Sequence, residues 1–212
     1  MADFEIGLNA AESDNFTTAL REWRPLAEQG LADAQNGLGT LFYNGDGVSQ
    51  DYSEAEMWYR KAADNGDANA QYHLGLVYRE GFGVDQDYVE AVKWFLRAAE
   101  RGHTKAQLSL SFMYSNGQGV DEDSNEAVRW CLEAAEQGDA GAQYILGSMY
   151  DIGQNITQDY EEAAYWYQEA AEQGDADAQY ALGLMYNKGK GVTKDHKEAA
   201  KWARKSAEQG DA

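Results

Sequence analysis

Apolar residues recur at three- and four-residue steps in short runs, and the runs return every 36 residues. In the unit from Ala68 to His103, Ala70, Leu74, Val77 and Tyr78 share one face of a predicted first helix. Gly81-Phe82-Gly83-Val84 then ends the run with a tight loop, where glycine takes positive φ at no steric cost. The fourth unit has Gly153-Gln154-Asn155-Ile156 there; Asn tolerates the left-handed region, so the exchange points to a backbone requirement. Beyond the loop, Ala91 and Trp94 stand three residues apart, followed by Ala98 and Ala99. This is a second helical face, in which alanines permit close approach and the indole fills the wider gap.

The same markers run through most of the chain. Gln35, Gln71, Gln107, Gln143 and Gln179 are evenly spaced, as are Trp58, Trp94, Trp130, Trp166 and Trp202, and Gly66, Gly102, Gly138, Gly174 and Gly210. A constant period near this length predicts a solenoid, whose units bury their apolar faces only by stacking on neighbours. Each second helix opens with Asp-x-x-Glu: Asp51/Glu54, Asp87/Glu90, Asp123/Glu126, Asp159/Glu162 and Asp195/Glu198. The Asp is expected to accept from free first-turn amides, and the Glu to reach back to the cap's own amide. Paired carboxylates also suit acid/base catalysis, but recurrence in every unit reads as capping. A terminal Gly supplies a left-handed C-cap, and Asp67, Asp139 or Asp175 can start the next helix.

The shared pattern resembles the Sel1-like repeat, a branch of the tetratricopeptide-like solenoids. It is nearly intact in Ala178-Gln179-Tyr180, Leu182-Gly183, Met185-Tyr186, Gly189-Lys190-Gly191-Val192, Trp202 and Gln209-Gly210. The resemblance covers five units, 32–67, 68–103, 104–139, 140–175 and 176–211. It implies an all-α, right-handed α/α superhelical solenoid of about six antiparallel helix pairs, a single domain over 1–212. Residues 3–31 form a shorter hairpin: Gly7 precedes Ala19 by twelve residues, whereas Gly39 precedes Ala55 by sixteen. That hairpin has tetratricopeptide length, and Pro25 is expected to kink or shorten its second helix. The resemblance also implies an adaptor or scaffold that binds other proteins, often bacterial and exported. A cysteine-rich branch with disulfide-linked helix pairs is associated with cell-wall fragments or β-lactams. By analogy it gives an alternative function, a peptidoglycan-fragment or small-molecule binder with weak β-lactamase-like hydrolysis. Here Cys131 stands alone, in the slot held elsewhere by Tyr59 or Tyr167, and reads as a buried thiol.

Composition narrows the function further. The formal charge is −20 and uneven: residues 1–105 carry −9, residues 106–187 carry −14 with Arg129 as the one basic residue, and residues 188–212 carry +3. An acidic body repels phosphate backbones, which argues against nucleic acid. The charge serves solubility or steers a basic partner, with the basic C-terminal unit a separate patch. A single Pro and the lack of Pro- or Ser-rich stretches argue against linkers. One cysteine permits no intramolecular disulfide or thiolate cluster. No apolar run approaches a membrane span, and Met1-Ala2-Asp3-Phe4 does not open a signal peptide. The sequence does not fix the compartment, which is the cytoplasm, or the periplasm or exterior if an export signal has been removed.

First helices line the concave face of tetratricopeptide-like solenoids, so their non-consensus positions are the candidate partner-binding residues. One column is Asn36, Tyr72, Leu108, Tyr144 and Tyr180; the next is Thr40, Leu76, Phe112, Ser148 and Leu184. At the helix ends stand Tyr43, Arg79, Ser115, Asp151 and Asn187. An apolar, aromatic middle with a mixed edge suits an extended peptide or a partner helix. The competing reading is that these side chains pack against the neighbouring repeat. His73, His103 and His196 occupy different places in their units and form no metal constellation. No nucleophile-elbow or phosphate-loop motif occurs, so neither catalytic residues nor a cofactor is expected. The chain stops at Gln209-Gly210-Asp211-Ala212, beginning a further unit without completing it, which suggests weak end-to-end self-association through the C-terminal repeat. The tryptophan ladder reads as structural: truncating Trp94 to Ala should cost about 3–5 kcal/mol in chemical denaturation.

Overall fold

The computed structural model describes residues 2–210. Asp211 and Ala212, which the stacking expectation includes, lie outside the described residues. Among the described residues there are twelve helices and no strand. They are α1 (Ala2–Glu12), α2 (Phe16–Glu28), α3 (Ala32–Asn44), α4 (Tyr52–Asp64), α5 (Ala68–Glu80), α6 (Tyr88–Ala99), α7 (Thr104–Asn116), α8 (Ser124–Glu136), α9 (Ala140–Ile152), α10 (Tyr160–Glu172), α11 (Ala176–Lys188) and α12 (His196–Gly210). The fold is the expected all-α solenoid of helix pairs. It divides into two compact units, Met1–Ala106 with Gln118–Val120, and Gln107–Gly117 with Asp121–Ala212.

Within each unit, one interaction joins a repeat to the one before it. Gln35, Gln71, Gln143 and Gln179 are buried, and each Nε2 donates to a carbonyl at the end of the preceding second helix: Ala27, Ala63, Ala135 and Ala171, at 3.0–3.2 Å. Those carbonyls belong to the last turn and already accept from the turn amides of Gly30, Gly66, Gly138 and Gly174 at 3.0–3.1 Å, so the glutamine supplies their second hydrogen bond. Gln107, Gln143 and Gln179 each accept from an amide at the end of their own second helix, Gln137, Gln173 and Gln209, at 2.7–2.8 Å, whereas the buried Gln71 Oε1 has no partner among the described residues. Both ends of the buried Gln143 and Gln179 side chains are therefore satisfied.

Capping follows half of the expected box. Asp51, Asp87, Asp123, Asp159 and Asp195 all accept from first-turn amides. The reciprocal arm does not form. The cap amides donate to carbonyls near the end of the first helix, Asp51 to Phe42, Asp87 to Tyr78, Asp123 to Tyr114, Asp159 to Tyr150 and Asp195 to Tyr186, at 2.9–3.0 Å. With that donor already used, Glu90, Glu126 and Glu198 pair outward with Lys93, Arg129 and Lys201. Asp67, Asp139 and Asp175 cap the next first helices, and His103 does so through Nδ1, which accepts from Ala106.

The two glycines of the loop differ in purpose. Gly81 is the left-handed C-cap of α5, with φ 75°. Gly83, φ 75°, also lies against the start of α4, and a Cβ there would stand 2.7 Å from the Tyr52 carbonyl carbon. Asn155 holds the same conformation at φ 62°, as expected. Its side chain accepts from Ser124 at 3.1 Å and donates to Ser115 at 2.7 Å. Ser124 occupies the place of Tyr52, Tyr88 and Tyr160, so the smaller residue accompanies the larger loop side chain.

A third glycine is a seat for an aromatic ring. A Cβ on Gly39 or Gly75 would meet Tyr59 or Phe95 at 2.5 Å, and one on Gly147 would meet Tyr167 at 2.8 Å. Where the ring is replaced by Cys131, the seat becomes Ser111, and the two side chains hydrogen-bond. Burial pushes the Cys131 thiol up to about 12, so the thiol is inert as expected. In the N-terminal hairpin Trp23 fills the ring slot, with Gly7 beneath it and its Nε1 donating to the Phe4 carbonyl at 3.3 Å. Pro25 does not shorten α2, which runs on to Glu28. Pro25 and Arg21 are both exposed, so the carbonyl freed by the missing amide sits on the solvent side.

The tryptophan ladder is buried at Trp58, Trp94, Trp130 and Trp202, whereas Trp166 is only half-buried. Cations cover their outer faces, Lys61 on Trp58, Arg97 on Trp94, Arg129 on Trp130 and Lys205 on Trp202, at 4.0–4.4 Å. The Trp94 and Trp130 indole nitrogens have no hydrogen-bond partner among the described residues, which marks these rings as packing elements. Opposing terms decide the effect of Gly75→Ala. Helix propensity favours Ala by about 1 kcal/mol, but the clash with the Phe95 ring costs about 1–3 kcal/mol and moves a ring that is fully enclosed. Gly75→Ala should therefore lower the denaturation midpoint, while Gly75→Ala combined with Phe95→Ala should lose less than the two single changes summed.

Candidate functional site

In the first unit, α3 and α5 use their candidate positions partly for internal bonds. The Asn36 Oδ1 accepts from His73 Nδ1 at 3.1 Å. Thr40 accepts from the Tyr59 hydroxyl at 3.2 Å and donates to the Asn36 carbonyl. Tyr72 stacks on His103 with centroids 4.6 Å apart and leans on Phe95 and His73. Leu76 is half-buried, and Arg79 pairs with Glu80 at 2.7 Å. Beside them lies a cavity of about 330 Å³ bordered by Phe4, Phe16, Trp23, Asn36 and Thr40. Burial drives His73 down to about 4, so it is neutral around pH 7.

The second column obeys a rule that reads across to the second helix. Nineteen residues after Thr40, Leu76, Phe112, Ser148 and Leu184 stand Tyr59, Phe95, Cys131, Tyr167 and Ala203. Hydroxyl faces phenol in Thr40–Tyr59 and Ser148–Tyr167, where the side chains hydrogen-bond. Leu76 is paired with a phenyl ring, and the bulky Phe112 and Leu184 go with small residues. Internal complementarity thus accounts for Thr40 and Ser148. Phe112 differs: it goes with the small, fully buried Cys131, and its ring stays 54% exposed.

In the second unit, α7 and α9 border a groove of about 300 Å³. Four candidate residues meet there, Leu108, Phe112, Tyr144 and Ser148. Ile145 and Met149 extend its apolar wall, and Ser111, Ser115, Asn116 and Gln154 its polar edge. Ile145 escaped the sequence reading because it lies beside the two columns; its signal is an exposed Ile where the other units have Gly37, His73, Ser109 and Ala181. Tyr180 and Leu184 are exposed on α11 and line neither the groove nor the cavity. Asp175 and Asp177 act on Tyr144, whose phenol burial and these carboxylates raise. Arg129, the sole basic residue of 106–187, is held by Glu126 and Glu133 on α8, at 2.6 and 2.8 Å.

Among the described residues, no group of three or more His, Cys, Asp or Glu side chains could hold a metal ion. No helix of the described residues is long and apolar enough to cross a membrane.

A family model for the Sel1 repeat matches residues 32–67, 68–103, 104–139, 140–175 and 176–211, and the chain belongs to that family. Repeats of this family generally mediate protein–protein interaction and are mostly non-enzymatic. A protective antigen present in uropathogenic Escherichia coli strains, described as displaying an SLR fold, is similar at 40% identity and a TM-score of 0.91, over 99% of this chain and 46% of the antigen. The chain thus spans less than half of that relative. A Sel1 repeat protein from Oxalobacter formigenes is similar at 35% identity and a TM-score of 0.86, over 99% of this chain and 83% of its own. An immunity protein from Pseudomonas aeruginosa shares the fold alone, at 21% identity and a TM-score of 0.62, over 100% of this chain and 82% of its own. No curated protein matches the chain.

The pH dependence of the first unit follows from His73. Its pKa is lowered on folding, so the unfolded chain takes up a proton near pH 6.5 that the folded one refuses until about 4. Stability is therefore lost as pH falls through that window, by roughly 3 kcal/mol. His73→Gln should flatten this part of the stability profile relative to the wild type, measured by urea denaturation between pH 7 and 4.

Proposed function

We propose that the protein is a non-catalytic interaction scaffold that holds an extended peptide or partner helix against its first helices. The observation that carries this reading is the α7/α9 groove, which gathers Leu108, Phe112, Tyr144 and Ser148 around an exposed aromatic ring. A bulky apolar ring left half open to solvent does little for the fold, and large aromatic side chains dominate binding energy at interfaces. In the first unit Asn36 and Thr40 border a second recess, while Tyr72, Leu76 and Arg79 form the adjoining surface of α5. Tyr180 and Leu184 offer a further apolar patch on α11, the surface through which end-to-end self-association would proceed. The cell-wall-fragment reading draws on a branch with paired cysteines, whereas the cysteine here is single and buried.

The test begins with a partner captured from the source cell and purified. Its affinity is then measured by calorimetry for the wild type, Phe112→Ala and Arg79→Glu, with sedimentation to score self-association. Phe112→Ala should weaken binding at least tenfold, about 1.4 kcal/mol, with an unchanged melting curve. Unaltered affinity in both variants, with the fold intact, would discard the first-helix surface as the binding face.

A further inference from the structure

We propose that the α7/α9 groove takes a basic peptide segment which inserts one bulky apolar side chain between Phe112 and Tyr144. This rests on the interaction reading above and adds the chemistry of the partner. The groove's volume, about 300 Å³, is at the small end for a binding pocket and suits a single anchoring side chain with its flanking backbone. Its walls are apolar at Leu108, Phe112, Tyr144 and Ile145, and the exposed amide side chains of Asn116 and Gln154 at its edge can serve the peptide backbone of an occupant.

Charge selects the rest of the occupant. Residues 106–187 carry fifteen acidic side chains against Arg129 alone. That guanidinium is fully engaged on α8, between Glu126 and Glu133 and over the Trp130 ring. It therefore supplies no compensating charge to the groove. On the groove side, Asp175 and Asp177 act electrostatically on Tyr144, and Asp151 acts on Tyr167 behind Ser148. An acidic segment would meet like charge from the first turn of α11 and the end of α9, whereas a Lys- or Arg-bearing one gains attraction and a faster encounter. Asp175 is already used as the α11 cap, but Asp177 is exposed and its carboxylate is open to a partner.

The experiment is selection of a random twelve-residue peptide display library on the full chain at 50 mM salt, with parallel selection on Phe112→Ala. Peptides that prefer the wild type should be basic and carry a Leu, Met or aromatic residue. Their affinity, read by fluorescence anisotropy, should fall at least tenfold in Phe112→Ala, several-fold in Asp177→Lys, and about tenfold between 50 and 500 mM salt. Circular dichroism melting of both variants confirms that the fold is kept. Neutral or acidic peptides that depend on Phe112 would overturn the basic-partner inference while leaving the groove as a binding site. Basic peptides indifferent to Phe112→Ala would overturn both the anchor and the groove reading, since they bind by charge alone. Self-association of the chain that vanishes in Phe112→Ala would overturn the inference by making a second copy the occupant.

Discussion

Within each unit, a buried glutamine ties a repeat to the one before it, and in Gln143 and Gln179 the amide and the carbonyl are both used. The amide reaches the last carbonyls of the preceding second helix, and its oxygen receives an amide from the end of its own. An isolated helix pair would leave the glutamine amide without its carbonyl target. Inside the stack, a missing partner costs the desolvation of a buried polar group. This sets both the spacing and the rotation of successive pairs, because a side chain of fixed length must meet a carbonyl of fixed position. Hydrophobic burial supplies more stabilisation, but it is tolerant of small slips. The glutamine bond is directional, and it selects one register from those that burial alone would accept.

Glycine seats carry the same logic inside a pair. Rings at Tyr59, Phe95 and Tyr167 lie flat on glycine because no Cβ can be placed beneath them. Shrinking the ring to Cys131 releases the seat, and Ser111 takes it. The adjacent column follows suit, with hydroxyls beside phenols and larger apolar residues beside smaller partners. Variation along the repeats is thus of two kinds. Some of it is compensation within the molecule, as in Ser124 with Asn155 or Thr40 with Tyr59. What remains after compensation is removed includes Phe112 and Ile145, exposed apolar side chains that both line the groove.

That distinction matters for function in a repeat protein. Membership of the Sel1 family and likeness to bacterial Sel1 repeat structures define the scaffold. Specificity must come from side chains that the scaffold does not need. In the second unit these side chains frame an apolar groove in an acidic part of the chain, which is why the basic, apolar-anchored peptide is proposed there.

The helix pairs, their caps and their glycine turns were legible in the sequence, because they depend on local backbone chemistry repeated every 36 residues. A left-handed turn needs Gly or Asn, and a helix start needs an acceptor, wherever the chain then goes. The candidate columns were legible as positions, since helical spacing places them on one face. Which of them are free was not. Thr40 and Ser148 are engaged by phenols nineteen residues away, Tyr72 is covered by His103, and Phe112 stands open. The capping-box Glu was misread for the same reason, its target amide having been taken by a carbonyl from another helix. Local rules determined the elements; only packing between helices decided which donors, rings and hydroxyls were already spent, and so which surface was left to bind.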